Sequence, residues 1–133
     1  MPPLYPWVPD LETGIARIDE EHREMLALCE ALAADRGANA HALGVLDWLK
    51  QHIGGHFRAE EEQMAASGFP LASRHKAEHE RLAAYMARIT RDQEESGPDD
   101  DLAWVSNRLL ANWLVGHIRN HDRKFASHLH AMF

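Results

Sequence analysis

Cys29 is the only cysteine in the 133 residues, so no disulfide can form within the chain, which fits a reducing compartment. No apolar run approaches the roughly 18 residues that a transmembrane helix needs. The opening Met1-Pro2-Pro3-Leu4-Tyr5-Pro6-Trp7 lacks the basic start and apolar stretch of a signal peptide. A cytoplasmic protein without membrane insertion is the expectation. Basic residues are outnumbered: 14 Lys and Arg face 21 Asp and Glu, for a formal net charge of −7. An acidic balance of this kind argues against nucleic acid as a partner. Strand-like alternation, internal repeats and low-complexity tracts are also missing. What remains is an ordinary globular mixture, 45% hydrophobic and 26% charged, in a length that suits one domain over 1–133.

Histidine is what the chain has in excess. Ten are present, and five of them fall among apolar residues inside predicted helices. Burying an imidazole costs free energy unless it is bonded, so that placement asks for a chemical reason. The 3.6-residue periodicity predicts helices over about 14–35, 40–66, 71–94 and 100–120, with a short tail helix over about 122–131. An extended, proline-rich arm precedes them, with Trp7 as its anchor. The first stripe is Ile15, Ile18, Met25, Cys29 and Leu32, with His22 filling the vacant register position. The second is Leu46, Leu49, Ile53, His56, Glu60 and Met64; the third is His75, His79, Leu82, Met86 and Ile89. On the fourth, Leu102, Val105, Leu109, Leu110, Trp113, Leu114 and His117 are expected to face inward. Arg36-Gly37, Ser67-Gly68-Phe69-Pro70 and Ser96-Gly97-Pro98 read as breaks, Asn39 as a cap, and Asp99-Asp100-Asp101 as a helix start that suits the macrodipole. Four amphipathic helices on short loops give an all-α, up-down-up-down four-helix bundle.

Each inner stripe carries potential metal ligands. His22 stands on the first helix, His56 and Glu60 on the second, His75 and His79 on the third, and His117 on the fourth, with Asp122 five residues further on. Residues four apart share a helical face, so the two i, i+4 pairs can chelate one ion or span two. Five steps of about 100° carry Asp122 off the His117 face, and it returns only if the helix ends or kinks near Asn120. Five imidazoles and two carboxylates are too many for one tetrahedral zinc ion. They suit two borderline cations, and iron fits.

The segments Gly14-Ile15 through Ile18-Asp19-Glu20-Glu21-His22, His56-Phe57-Arg58-Ala59-Glu60-Glu61, His75-Lys76-Ala77-Glu78-His79 and His117-Ile118 through Asp122 resemble the hemerythrin family, in particular its single-domain bacterial members. The resemblance covers nearly the whole chain, and H, HxxxE, HxxxH and HxxxxD in this order form a specific signal. It implies two iron ions with a bridging oxo or hydroxo group. His75, His79 and His117 would hold one iron, and His22 and His56 the other, which keeps an open position. Glu60 and Asp122 would bridge the pair, and O2 would be the ligand. One residue departs from the pattern: Glu21 stands where the resemblance leads one to expect glutamine, and it either alters the iron electronics or faces water.

A histidine-rich centre in an apolar pocket should favour low-valent iron and exclude water, unlike the carboxylate-rich di-iron oxidases. Ile18, Met25, Leu49, Ile53, Leu82, Trp113 and Leu114 are the candidate walls of the O2 pocket. The reading is a monomeric oxygen store, carrier or delivery protein, not an enzyme, with an oxygen-consuming enzyme as one conceivable recipient. The alternatives are oxygen or redox sensing, and di-iron removal of peroxide or nitric oxide. His41, His52, His121, His128 and His130 read as non-ligands. Met25, Met64 and Met86 read as core filler, and Glu61 and Glu62 as solvated surface. Gly54-Gly55, inside the second helix, and Gly116, beside His117, suggest a bend or a close approach by another element.

Overall fold

The computed structural model describes residues 4–34, 40–96 and 100–132. Its main helices are α1 (Ala16–Ala34), α2 (Ala40–Ser67), α3 (Ala72–Ser96), α4 (Asp100–His117) and α5 (Arg123–Ala131). The predicted stop at Arg36-Gly37, the cap at Asn39, the break at Gly97-Pro98 and the side chains of His41 and Leu102 lie outside the described residues. Each of the first four helices packs on its neighbours in sequence, and α1 also packs on α4, which closes an up-down-up-down bundle. No helix of the described residues is long and apolar enough to cross a membrane.

The ends of the helices explain how the elements are aimed. Before α1, the Asp19 carboxylate reaches back and accepts from Thr13 N (2.9 Å), Thr13 Oγ1 (2.7 Å) and Gly14 N (3.2 Å). Two of these donors are backbone N–H groups of the turn ahead of the helix, which the carboxylate pairs. Gly14 has φ +79°, a backbone conformation that strains any other residue, and a Cβ there would also displace His130 Nε2, 2.9 Å away. His130 in turn bonds Thr13 O at 2.7 Å, tying α5 to the start of α1. Between α2 and α3, Phe69 N donates to Met64 O (3.1 Å) and Gly68 N to Ala65 O (3.4 Å), with Gly68 at φ +66°. That is a Schellman stop with its usual apolar contact, here Phe69 and Met64 with Phe125.

The stripes of the first three helices are buried as predicted, apart from Ile15, which is half-buried and precedes α1. The fourth needs correcting. Val105 and Leu109 are 47% and 54% exposed, and Trp113 is half-buried, set edge-on to Tyr85. The inner face of α4 instead runs through Asn107, Leu110, Ala111, Leu114 and His117, at steps of three and four. A polar Asn107 on that face disguised its register. The arm is not simply extended: Pro9–Leu11 form a 3-10 turn, and Tyr5 and Leu11 are its buried anchors. Trp7 is half-buried beneath the Arg23 guanidinium, 4.5 Å from its ring. The space beside Gly54, Gly55 and Gly116 is open, so no element approaches closely there, and α2 stays helical throughout.

Candidate metal centre

His22, His56, Glu60, His75, His79, His117 and Asp122 are each buried to within 3% of fully, and all seven converge at one end of the bundle. Register explains six of them. His22 lies near the start of α1, His56 and Glu60 near the end of α2, His75 and His79 near the start of α3, and His117 at the end of α4. Antiparallel packing brings those four ends together.

Asp122 arrives differently. The regular α-helix ends at His117 and widens into a π turn over Ile118–Asp122, so the expected irregularity near Asn120 takes this form. A π turn closes i to i+5, and the Arg123 N–H duly bonds Ile118 O. The extra residue brings the fifth position back under the first, and Asp122 Oδ1 lies 3.1 Å from His117 Nε2. The HxxxxD spacing is therefore the sequence trace of a π turn.

The two carboxylates divide their oxygens between two sets of imidazoles. Asp122 Oδ2 faces His22 Nε2 at 2.9 Å and His56 Nε2 at 3.8 Å. Asp122 Oδ1 faces His75 Nε2 at 2.9 Å and His117 Nε2 at 3.1 Å. Glu60 Oε1 is in contact with His56 Nε2, while Oε2 faces His75 Nε2 at 3.0 Å and His79 Nε2 at 3.6 Å. Two ligand clusters result, His22-His56-Glu60-Asp122 and Glu60-His75-His79-His117-Asp122, sharing both carboxylates.

These approaches are poorly directed as hydrogen bonds. All four carboxylate oxygens, and Nε2 of His75, His79 and His117, lack a properly aimed partner. Orphans in such number are costly unless a cation completes them. The spacing fits one: His22 Nε2 and His56 Nε2 stand 3.1 Å apart, close to the roughly 3 Å separating two nitrogens set at right angles on an ion with bonds of about 2.1 Å. The electrostatics ask for positive charge as well. Burial alone would lower His56, but the facing Asp122 and Glu60 carboxylates push it up to about 11. The same contest lifts His75 to about 9. Burial and the Asp122 charge would raise Glu60, but contacts from His56, His75 and His79 hold it at about 2. Asp122, which burial would also raise, is kept well below the carboxylate range by His117, His22 and His56.

The hemerythrin HHE cation-binding domain matches residues 13–129. The chain belongs to the hemerythrin family. A bacteriohemerythrin of Stenotrophomonas maltophilia is 33% identical over 96% of this chain and 83% of its own length. Another, from Pseudomonas paraeruginosa, is 30% identical over 87% and 75%. A hemerythrin-like protein of Naegleria gruberi is 26% identical over 94% and 93%. A solved structure of a leucine-to-phenylalanine mutant superimposes with a TM-score of 0.84, covering 96% of this chain and 98% of that one at 23% identity, which supports the shared fold. This hemerythrin is thus a non-haem iron-binding domain with a buried His/Glu/Asp cluster.

Glu21, singled out in the sequence, does not simply face water: Oε2 accepts from His56 Nδ1. Other neighbours of the cluster were not foreseen. Glu61, read as surface, accepts from His79 Nδ1 at 3.3 Å, while Glu62 is exposed as expected. Phe57 stacks on His79 with ring centroids 3.7 Å apart, and Phe69 and Phe125 stand edge-on to His75. Phe57 and Glu61 follow directly on His56 and Glu60, and that adjacency was the available signal. Among the non-ligands, His52 is exposed, His121 stacks on His117, His128 bonds Ser67 O, and none joins either cluster.

Proposed function

We propose that this hemerythrin binds molecular oxygen reversibly at two iron ions, for storage, transport or delivery, and that it is not an enzyme. The observation that carries the reading is the division of carboxylate oxygens: Asp122 turns one oxygen to His22 and His56 and the other to His75 and His117, while Glu60 turns one to His56 and the other to His75 and His79. His75, His79 and His117 would hold one ion, and His22 and His56 the other, which would have fewer protein ligands. Glu60 and Asp122, common to both ligand clusters, would serve the two ions together. When bound, two ferrous ions supply the electrons and the open position that oxygen binding requires.

The side chains do the rest. Five imidazoles keep both ions electron-rich without the negative charge that would favour high valence. Ile18, Met25, Ile53, Leu82 and Leu114 are buried three or four residues from a cluster histidine on the same helical face, and Leu49 one turn beyond Ile53. None of them can donate or accept a proton, so they exclude water without offering acid or base. Trp113, the remaining candidate wall, is half-buried against Tyr85.

The test is to load metal-stripped protein with Fe2+ under anaerobic conditions, count iron per chain, admit oxygen, record the visible spectrum and purge with argon. Two irons per chain, with a charge-transfer band that appears with oxygen and fades under argon, is the expected result. Immediate oxidation with no band and no recovery would overturn the carrier reading in favour of a redox enzyme or a sensor.

A further inference from the structure

Only two of the five cluster imidazoles have a carboxylate on their outer nitrogen. Nδ1 of His22, His75 and His117 has no hydrogen-bond partner, whereas His56 Nδ1 contacts Glu21 and His79 Nδ1 lies 3.3 Å from Glu61. Each of the two ligand clusters therefore contains one imidazole backed by a carboxylate. The Glu21 contact continues outward. Arg17 Nη1 donates to the other oxygen of Glu21 at 2.6 Å, and Arg17 Nη2 donates to Gln63 Oε1 on α2 at 2.9 Å. A chain of polar contacts runs from exposed Arg17 on α1, through Glu21, to His56 on α2 and into the cluster.

His56 has one carboxylate on each nitrogen, Glu21 at Nδ1 and Glu60 at Nε2. Without metal a doubly protonated His56 can serve both anions, but the neutral imidazole that a metal ion requires carries one proton and cannot. With the proton at Nδ1 facing Glu21, the Nε2 lone pair points into the cluster toward the Glu60 carboxylate, an arrangement that only a cation makes favourable. A carboxylate accepting from Nδ1–H also makes the ring a stronger donor through Nε2. An arginine on the far oxygen draws charge away and weakens that push.

We propose that Glu21 is a positioning residue for the two-histidine metal position, fixing the His56 tautomer and strengthening its Nε2 as a ligand, and that Arg17 restrains this effect from the surface. The inference rests on the two-metal reading above. It requires that Glu21 and Arg17 act in opposite directions, although they are partners in one ion pair. A merely structural pair would lose the same thing whichever partner was removed.

The experiment compares wild type with Glu21→Ala, Glu21→Gln and Arg17→Met, using two readouts. One is the affinity for Zn2+, a redox-inert probe, by chelator competition; the other is the reduction potential of the iron-loaded protein. Glu21→Ala should weaken one of the two Zn2+ ions by roughly 10- to 100-fold and leave the other in place. Glu21→Gln keeps an acceptor oxygen without the charge, so it should retain most of the Zn2+ affinity while its potential rises. Arg17→Met should lower the potential, giving the order Arg17→Met, wild type, Glu21→Gln from lowest to highest. Any other order, or potentials that do not move, would overturn the inference while leaving the metal centre intact. Wild type that fails to take two Zn2+ ions per chain would overturn the metal-site reading itself, and is told apart by that count.

Discussion

At one end of the bundle, where α1 and α3 begin and α2 and α4 end, the interior holds five imidazoles and two carboxylates. At the other end Leu32, Leu46, Ile89 and Leu110 fill the interior with aliphatic side chains, each no more than 3% exposed. These aliphatic side chains need no ligand, because dispersion and water exclusion need nothing added. The polar end is complete only with positive charge supplied. Polar groups that would be defects in a core are affordable because they share a ligand. One bundle thus has an end that holds the fold and an end that holds the ions, and disturbances at the two should be separable.

Glu60→Gln is the sharpest way to break the polar end. It keeps the shape but removes a charge that both ligand clusters share. We expect iron to fall from two per chain to fewer than one, with a loss of stability of at least about 4 kcal/mol relative to protein held at a thousandfold excess over its dissociation constant. Iron assay and thermal melts with and without chelator check both. At the aliphatic end, Leu46→Ala should cost about 2–5 kcal/mol through the cavity it leaves, with two irons still bound. If Leu46→Ala stripped the iron as well, the two ends would not be independent.

A third test uses protons in place of metal. In stripped protein His56 is raised, so its contribution is complete below its ordinary 6.5 and fades as the pH climbs through about 11. Glu60 is lowered, so its contribution is complete above its ordinary 4.5 and is lost as the pH falls through about 2. Stripped protein should therefore melt highest between these ordinary values, at mildly acidic pH. Iron needs neutral imidazoles, so loading should move the optimum upward by about one pH unit or more. Melting temperature against pH, with and without iron, would show the shift; identical curves would mean that protons and metal do not compete for the cluster.

The sequence made the bundle and six of the seven cluster residues legible, because helical register alone places them on inner faces. Asp122 was legible as a member of a motif but not as geometry, since periodicity has no sign for a π turn and a five-residue spacing looks out of register. The inner face of α4 was read correctly at Leu110, Leu114 and His117 but misread elsewhere for the converse reason: Val105 and Leu109 are apolar yet exposed, while Asn107 is polar and buried. Composition reports what a residue prefers, and a bundle with a polar interior overrides that preference locally. Glu21 and Glu61 show the same limit. Each lies beside a cluster residue in sequence, but its role is to contact an imidazole on a different helix, and only the packing of α1 on α2 and of α2 on α3 reveals it.

The smallest expected effect tests whether the aliphatic end tolerates polarity without a ligand. Gln93 on α3 and Asn107 on α4 are both buried there, joined by a single 2.9 Å bond from Gln93 Nε2 to Asn107 Oδ1. Gln93 Oε1 and Asn107 Nδ2 have no partner, so the pair is half satisfied. Removing one member, as in Asn107→Ala, leaves the buried Gln93 amide with nothing and should cost about 1–3 kcal/mol. Replacing both, as in Gln93→Leu with Asn107→Leu, removes the desolvated groups together and should be nearly neutral or slightly stabilising. Denaturant unfolding of the single and double variants, with an iron count on each, measures the difference. A double variant that loses as much stability as the single would mean that the pair stabilises this end, and the contrast with the ion-dependent end would weaken. A double variant that matches wild type with two irons bound would leave the metal end as the one place where this bundle gains from burying polar groups.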